Sequence, residues 1–191
     1  MGLAALGRFT ESEYEEMEAK ADYRSEYFNG EIFAMAGGTP RHSILCGSMI
    51  RCVGNAVNGN RCHVMDCNMR IRIPTGLQTY PDMSVVCGEI KLAPGRTDCM
   101  VNPLLVVEVL SKSTESYDRG EKFTNYKTLP SLREYVLVSQ TEPLIEVFRR
   151  GKTGRWTETM CQGLDATIRF DSVGASINLV DVYRGIDFDT P

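Results

Sequence analysis

A single acid interrupts an otherwise apolar run: Glu108 lies inside Leu104-Leu105-Val106-Val107-Glu108-Val109-Leu110. An unpaired carboxylate in such a strand is costly, so it is expected to be paired, protonated or bound to a cation. Asp82 makes a second case, following Pro81 and opening the run Met83-Ser84-Val85-Val86-Cys87. Two carboxylates at neighbouring strand ends can hold a hard cation through oxygen. Magnesium takes few protein carboxylates and completes its shell with water and substrate phosphate. Phosphodiester hydrolysis fits that arrangement, because the ion neutralises phosphate charge and lowers the pKa of a bound water. The alternative is structural, with each carboxylate bonded to backbone amides or to a neighbouring arginine.

The elements that must position these acids follow from local pattern. Thr10 and Glu13 form a Thr-x-x-Glu capping box for a short acidic helix through Lys20, which reads as peripheral. Asn29-Gly30 between Tyr27-Phe28 and Glu31-Ile32-Phe33 predicts a type I′ hairpin and places Glu26 near its start. Ile44, Leu45, Met49, Ile50, Val53 and Val57 recur at helical spacing, predicting a helix over 41–57 with His42 in its first turn. Residues 64–73 alternate in their later part as a strand with Arg70 and Arg72 on a wet face. The runs at 83–87 and 104–110 suit strands covered on both faces. A helix over 118–129 ends at Pro130, a buried strand covers 134–138, and 144–148 with 156–160 form a hairpin. The order is helix, three strands, helix, strand, with hairpins before and after. The expected fold class is α/β or mixed α+β.

At 191 residues the chain suits one domain, with its core at about 41–140, a helix and hairpin at 10–36, and a hairpin and strands at 144–185. Its 42% apolar and 24% charged composition is that of a soluble globular protein. No stretch approaches the roughly 18 apolar residues of a membrane helix, and residues 1–9 lack the basic start and long apolar core of a leader. A cytoplasmic protein without membrane contact is expected. The net charge of −4 argues against non-specific coating of nucleic acid. Arg41, Arg51, Arg61, Arg70 and Arg72 could still form a local basic face; otherwise they are solvated charges. The seven cysteines are odd in number and lack the spacing of a zinc knuckle, so reduced, mostly buried thiols are expected.

Several phrases carry a family resemblance: Tyr80-Pro81-Asp82, Asn102-Pro103, Val107-Glu108-Val109-Leu110-Ser111, Ser113-Thr114, Asp118-Arg119-Gly120-Glu121-Lys122-Phe123, Tyr126 and Leu129-Pro130-Ser131-Leu132-Arg133-Glu134-Tyr135. Glu26 with Asn29-Gly30-Glu31, then Met35-Ala36-Gly37-Gly38 and His42 agree with them. Over about residues 10 to 185 the chain resembles the Uma-two family of bacterial proteins. The resemblance implies a place in the PD-(D/E)XK restriction-endonuclease-like superfamily and a magnesium-dependent endonuclease, with manganese as a substitute ion and DNA as the expected substrate. Carried over by position, Asp82 and Glu108 match the two acids of the superfamily motif and would be magnesium ligands. The motif lysine would stand at position 110, which is leucine here. Lys122, from the family's Asp-Arg-Gly-Glu-Lys phrase, takes its place as the catalytic cation, with Asp118 and Tyr126 on its helical face to orient it.

Glu26 would be a third acid, completing the metal shell or polarising water. His42 could orient substrate phosphate from a helix N-terminus, or simply cap or pack that helix. Ser111 could bond a carboxylate or the backbone beyond the strand. A symmetric homodimer would supply the two sites that double-strand cleavage needs. Two other readings stand beside this one. One is an inactive nuclease-fold module that binds nucleic acid or a protein partner, suggested by Leu110; the other is a thiol or zinc protein, suggested by the cysteines.

Overall fold

The computed structural model describes residues 8–35 and 37–188, so the opening residues 1–7 and Ala36 of the 35–38 phrase lie outside what is described. Helix α1 (Glu11–Glu18) carries the expected capping box. It is not peripheral: Tyr14 is fully buried, and Glu11 bonds Arg72 and Gln78 on the sheet beneath. The hairpin of β1 (Ser25–Phe28) and β2 (Glu31–Ala34) turns through Asn29 and Gly30 at φ 50° and 86°, the left-handed pair that a type I′ turn requires. Helix α2 (Pro40–Ala56) begins behind the Thr39 cap, with proline where a missing N–H costs nothing. It buries Leu45, Met49, Cys52 and Val53, each fully buried aliphatic side chain contributing about 2 kcal/mol.

Residues 62–73 form two strands instead of one. β3 (Cys62–Asp66) ends where Asp66 accepts the Asn68 amide, a local turn that breaks the extended chain. β4 (Arg70–Arg72) then joins a different sheet, and Arg70 is fully buried rather than wet. There follow β5 (Gln78–Thr79), β6 (Met83–Cys87), β7 (Cys99–Met100) and β8 (Leu105–Val109). The helical crossover is α3 (Glu115–Tyr117), a π-helical turn at Asp118–Lys122, and α4 (Phe123–Tyr126). It thus begins and ends three residues before the expected 118–129 helix. β9 (Glu134–Val138), β10 (Leu144–Arg150), β11 (Trp156–Gln162), β12 (Thr167–Phe170), β13 (Ala175–Asn178) and α5 (Leu179–Val182) complete the chain.

A six-stranded mixed sheet runs β11-β10-β9-β8-β6-β3, and a five-stranded sheet runs β2-β1-β5-β4-β7. The order α2, β3, β6, β8, helical crossover, β9 is the one expected; the second sheet is an addition. Alternation along β8 sends Leu105, Val107 and Val109 to the core beneath α2. Val106 and Leu110 face a second core with Phe123 and Tyr126, and Glu108 shares their side of the strand. Among the described residues no helix is long and apolar enough to cross a membrane.

Two charge and thiol expectations are corrected. Cys62 and Cys87 form a disulfide, because antiparallel pairing of β3 and β6 sets them directly opposite with Cα atoms 3.9 Å apart. The other five cysteines are free. Nor do all five arginines join one basic face. Arg41 donates to the carbonyls of Gln140 and Asp187, and Arg51 donates to that of Asp181. Arg70 and Arg72 pair with Asp98 and Glu11.

Candidate active site

The six-stranded sheet supplies the first two acids. Met83 pairs with Val107 in the antiparallel β6–β8 register, so one step further sets Asp82 beside Glu108. The Val109 N–H fixes Asp82 by donating to its Oδ2 at 2.7 Å. Glu26 arrives from β1 of the other sheet and is buried rather than an exposed hairpin charge. Thr79 Oγ1 donates to Glu26 Oε1, and Tyr117 donates to Oε2 at 3.2 Å.

Lys122 joins the two sheets. Its Nζ lies 2.9 Å from Glu108 Oε1, 3.2 Å from Glu26 Oε1 and 3.6 Å from Asp118 Oδ1. Tyr126, one helical turn on, donates to Glu108 Oε1 at 3.4 Å. Leu110 packs in the second core, so position 110 serves packing while the π turn delivers the ammonium. Lys122 and its three acids are each at most 8% exposed. Asp82 and His42 form the open side, with side chains 18% and 19% exposed.

Three carboxylates around one ammonium leave surplus negative charge in a dry place, and the titration directions follow. Burial raises the Glu108 carboxyl well above the ordinary range; Lys122 opposes this, while Asp118 and Asp82 add to it. Burial would depress Lys122, but Glu108, Glu26, Tyr126 and Asp118 reverse that and hold its ammonium well above the usual range. The paired groups differ in outcome because every charged neighbour of Lys122 is an acid, whereas Glu108 also meets like charges. Asp118 is raised by burial as well.

His42 stands against Asp82, its Nε2 3.4 Å from Oδ2, and this contact raises the imidazole above its ordinary value. Its backbone N–H is taken by the Thr39 cap at 3.2 Å. Ser111 stays outside the cluster: its Oγ accepts the Thr114 amide and meets the Ser113 and Thr114 hydroxyls. Of the expected residues, the fold gathers Glu108, Glu26 and Tyr126 around Lys122, sets Asp82 and His42 together at the open side, and leaves Ser111 aside.

The Uma2 family profile, described as "Putative restriction endonuclease", matches residues 11–179. The chain belongs to the Uma2 family. Two uncharacterized proteins of Synechocystis sp. (strain ATCC 27184 / PCC 6803 / Kazusa) are similar to it. One is 35% identical over 97% of this chain and 96% of its own length, the other 30% identical over 89% and 97%. A crystal structure from Anabaena variabilis ATCC 29413, described as "a putative nuclease belonging to DUF820", superposes with a TM-score of 0.74 at 16% identity. It covers 90% of this chain and 96% of that one, and at that identity it shows the fold. The Uma2 chain therefore has a nuclease-like, mixed α+β fold.

Sequence reasoning about this Uma2 chain missed Thr79 and Tyr117, which hold Glu26. Neither stands in an unusual local context, so only the meeting of two sheets reveals them. It also missed Cys46, whose Sγ lies 3.4 Å from His42 Nδ1. The four-residue spacing of His42 and Cys46 in a helical pattern was a readable signal for that contact.

Proposed function

We propose that the chain is a metal-dependent endonuclease that hydrolyses phosphodiester bonds, with DNA as its substrate, by in-line attack of water. One observation carries this reading: Lys122 Nζ, delivered from the helical crossover, reaches the Glu108 carboxylate that a motif lysine at position 110 would have served. Asp82 and Glu108 would hold magnesium, since an all-oxygen pair of carboxylates beside surplus negative charge suits a hard divalent cation. Such an ion, when bound, would neutralise phosphate charge and make a bound water more acidic.

The chain's own groups supply the rest. Glu26, expected as a third ligand, is engaged by Lys122, Thr79 and Tyr117; in this reading it anchors the ammonium, and the two motif acids would hold the ion. Lys122 is the group available to the charge that develops on the pentacovalent phosphate. Tyr126 fixes the Glu108 oxygen. Phosphate would approach from the open side, where His42 holds Asp82 in place and, once charged, would favour the anion. Two copies would provide a site for each strand of a duplex.

Nicking of supercoiled plasmid with magnesium or manganese tests the proposal on wild type, Asp82→Ala, Glu108→Ala and Lys122→Ala. Metal-dependent nicking lost in all three variants is expected. Cutting that survives loss of either acid refutes the assignment. DNA binding without cutting by wild type would support the binding-module reading, which the near-complete burial of Lys122 and Glu108 favours.

A further inference from the structure

Helix α2 presents a donor that the nuclease reading leaves unused, the half-buried Cys46 thiol. Cys46 follows His42 by one helical turn, and Cys46 Sγ lies 3.4 Å from His42 Nδ1. Asp82 closes the group from the mouth of β6, with Oδ2 3.4 Å from His42 Nε2. One donor atom from each residue can be chosen so that all three lie within 4.8 Å of one another. Among the described residues this is the one group of histidine, cysteine and carboxylate donors that converges so closely. All three are half-buried, open enough for an ion to enter and covered enough to limit its hydration.

The chemistry of the set differs from that of the acids around Lys122. Sulfur and imidazole are softer donors, suited to zinc-class ions and poorly suited to magnesium. Donors bound at about 2.0–2.3 Å to a tetrahedral ion stand roughly 3.5 Å apart. An ion takes only one ring nitrogen, so one of the two 3.4 Å separations already matches that spacing, and the remaining distances, each at most 4.8 Å, need to close by up to about 1 Å. The surroundings hold the donors in place. Val109 N–H pins the Asp82 carboxylate. A Cβ added to Gly38 would lie 2.9 Å from His42 Nδ1, so glycine there leaves room for the imidazole in this orientation.

We propose that His42, Cys46 and Asp82 form a second metal site that takes a thiophilic divalent transition ion of the zinc class, joined to the magnesium position through Asp82. Binding exchanges the thiol proton for a metal–sulfur bond and releases that proton to solvent. Three protein donors leave the fourth position open to water or a substrate oxygen. The site needs neither Glu108 nor Lys122, so it stands whether or not the chain cleaves DNA.

Cobalt(II) is the probe, titrated without magnesium into the full chain kept reduced by a non-thiol reductant. Wild type is expected to develop a thiolate-to-cobalt charge-transfer band that saturates at about one ion per chain, reversed by zinc. The band should vanish in Cys46→Ser, weaken at least tenfold in affinity in His42→Ala, and persist in Glu108→Gln. Absence of the band in folded wild type overturns the site, a result that depends on no variant. A band that survives Cys46→Ser, or disappears in Glu108→Gln, overturns the assignment of ligands.

Discussion

Glu108 and Glu134 are both buried glutamates on neighbouring parallel strands, β8 and β9, yet their surroundings are opposite in kind. Glu134 faces the α2 side of the sheet and is fully answered. Arg149 Nε donates to it at 2.9 Å, the amides of Asp171 and Ser172 at 3.1 and 3.0 Å, and the Ser172 hydroxyl adds a fourth bond. Glu108 faces the other side and shares one lysine with Glu26 and Asp118. A buried carboxylate with its own arginine and amides is a latch for the C-terminal β12–β13 hairpin. A buried carboxylate set among like charges is held ready for a cation. Burial alone therefore does not mark function; incomplete compensation does.

The contrast can be broken most severely at Lys122. Lys122→Met leaves three buried acids without a cation and should cost about 3–5 kcal/mol near neutral pH, read as the midpoint of chemical denaturation, together with all nicking. If the variant is as stable as wild type, the acids are not a strained group. Glu134→Ala should cost about 3 kcal/mol by removing the acceptor of Arg149 Nε and of two amides. Nicking per folded molecule should stay near wild type, and a specific loss of cutting would erase the distinction between the two glutamates.

Glu108→Gln should raise stability at pH 8 by about 1 kcal/mol while abolishing cutting, because it removes a charge that burial and two neighbouring acids disfavour. The sign is set by the raised carboxyl of Glu108. Its contribution is fully present below the ordinary glutamate value of about 4.3 and is lost as pH rises through the higher folded-state value. The advantage of the glutamine variant should therefore grow with pH over that window, and denaturation midpoints at pH 4 and pH 8 give the comparison. The smallest effect belongs to Tyr117→Phe. Loss of one bond to Glu26 should cost about 1 kcal/mol and a few-fold in nicking rate, seen in the same two assays.

The legible part of the site was the part that breaks a local pattern. Glu108 stands out as one acid in an apolar run, and Asp82 as an acid at the mouth of another. The type I′ hairpin and the α1 capping box also read directly from residue types. Lys122 became visible through the family phrase, because a lysine on a helix has no distinguishing local context. The second sheet stayed hidden: β4, β5 and β7 are two or three residues long, too short for alternation to register. Burial of Arg70 and pairing of Cys62 with Cys87 depend on contacts 28 and 25 residues apart. Spacing along the chain does not encode such contacts.

The π turn at Asp118–Lys122 has a consequence for length as well as composition. Such a turn is in effect one surplus residue carried within a helix, and each helical residue advances the side chains by about 100°. Tyr117, ahead of the turn, addresses Glu26, Tyr126, beyond it, addresses Glu108, and Lys122 at its end reaches both. Removing one residue, Gly120 for example, would restore an ordinary helix and set the two halves about 100° out of phase. A relative with that deletion would keep every acid of the site and its lysine and lose the constellation, so an alignment gap here would mark an inactive chain more surely than many substitutions.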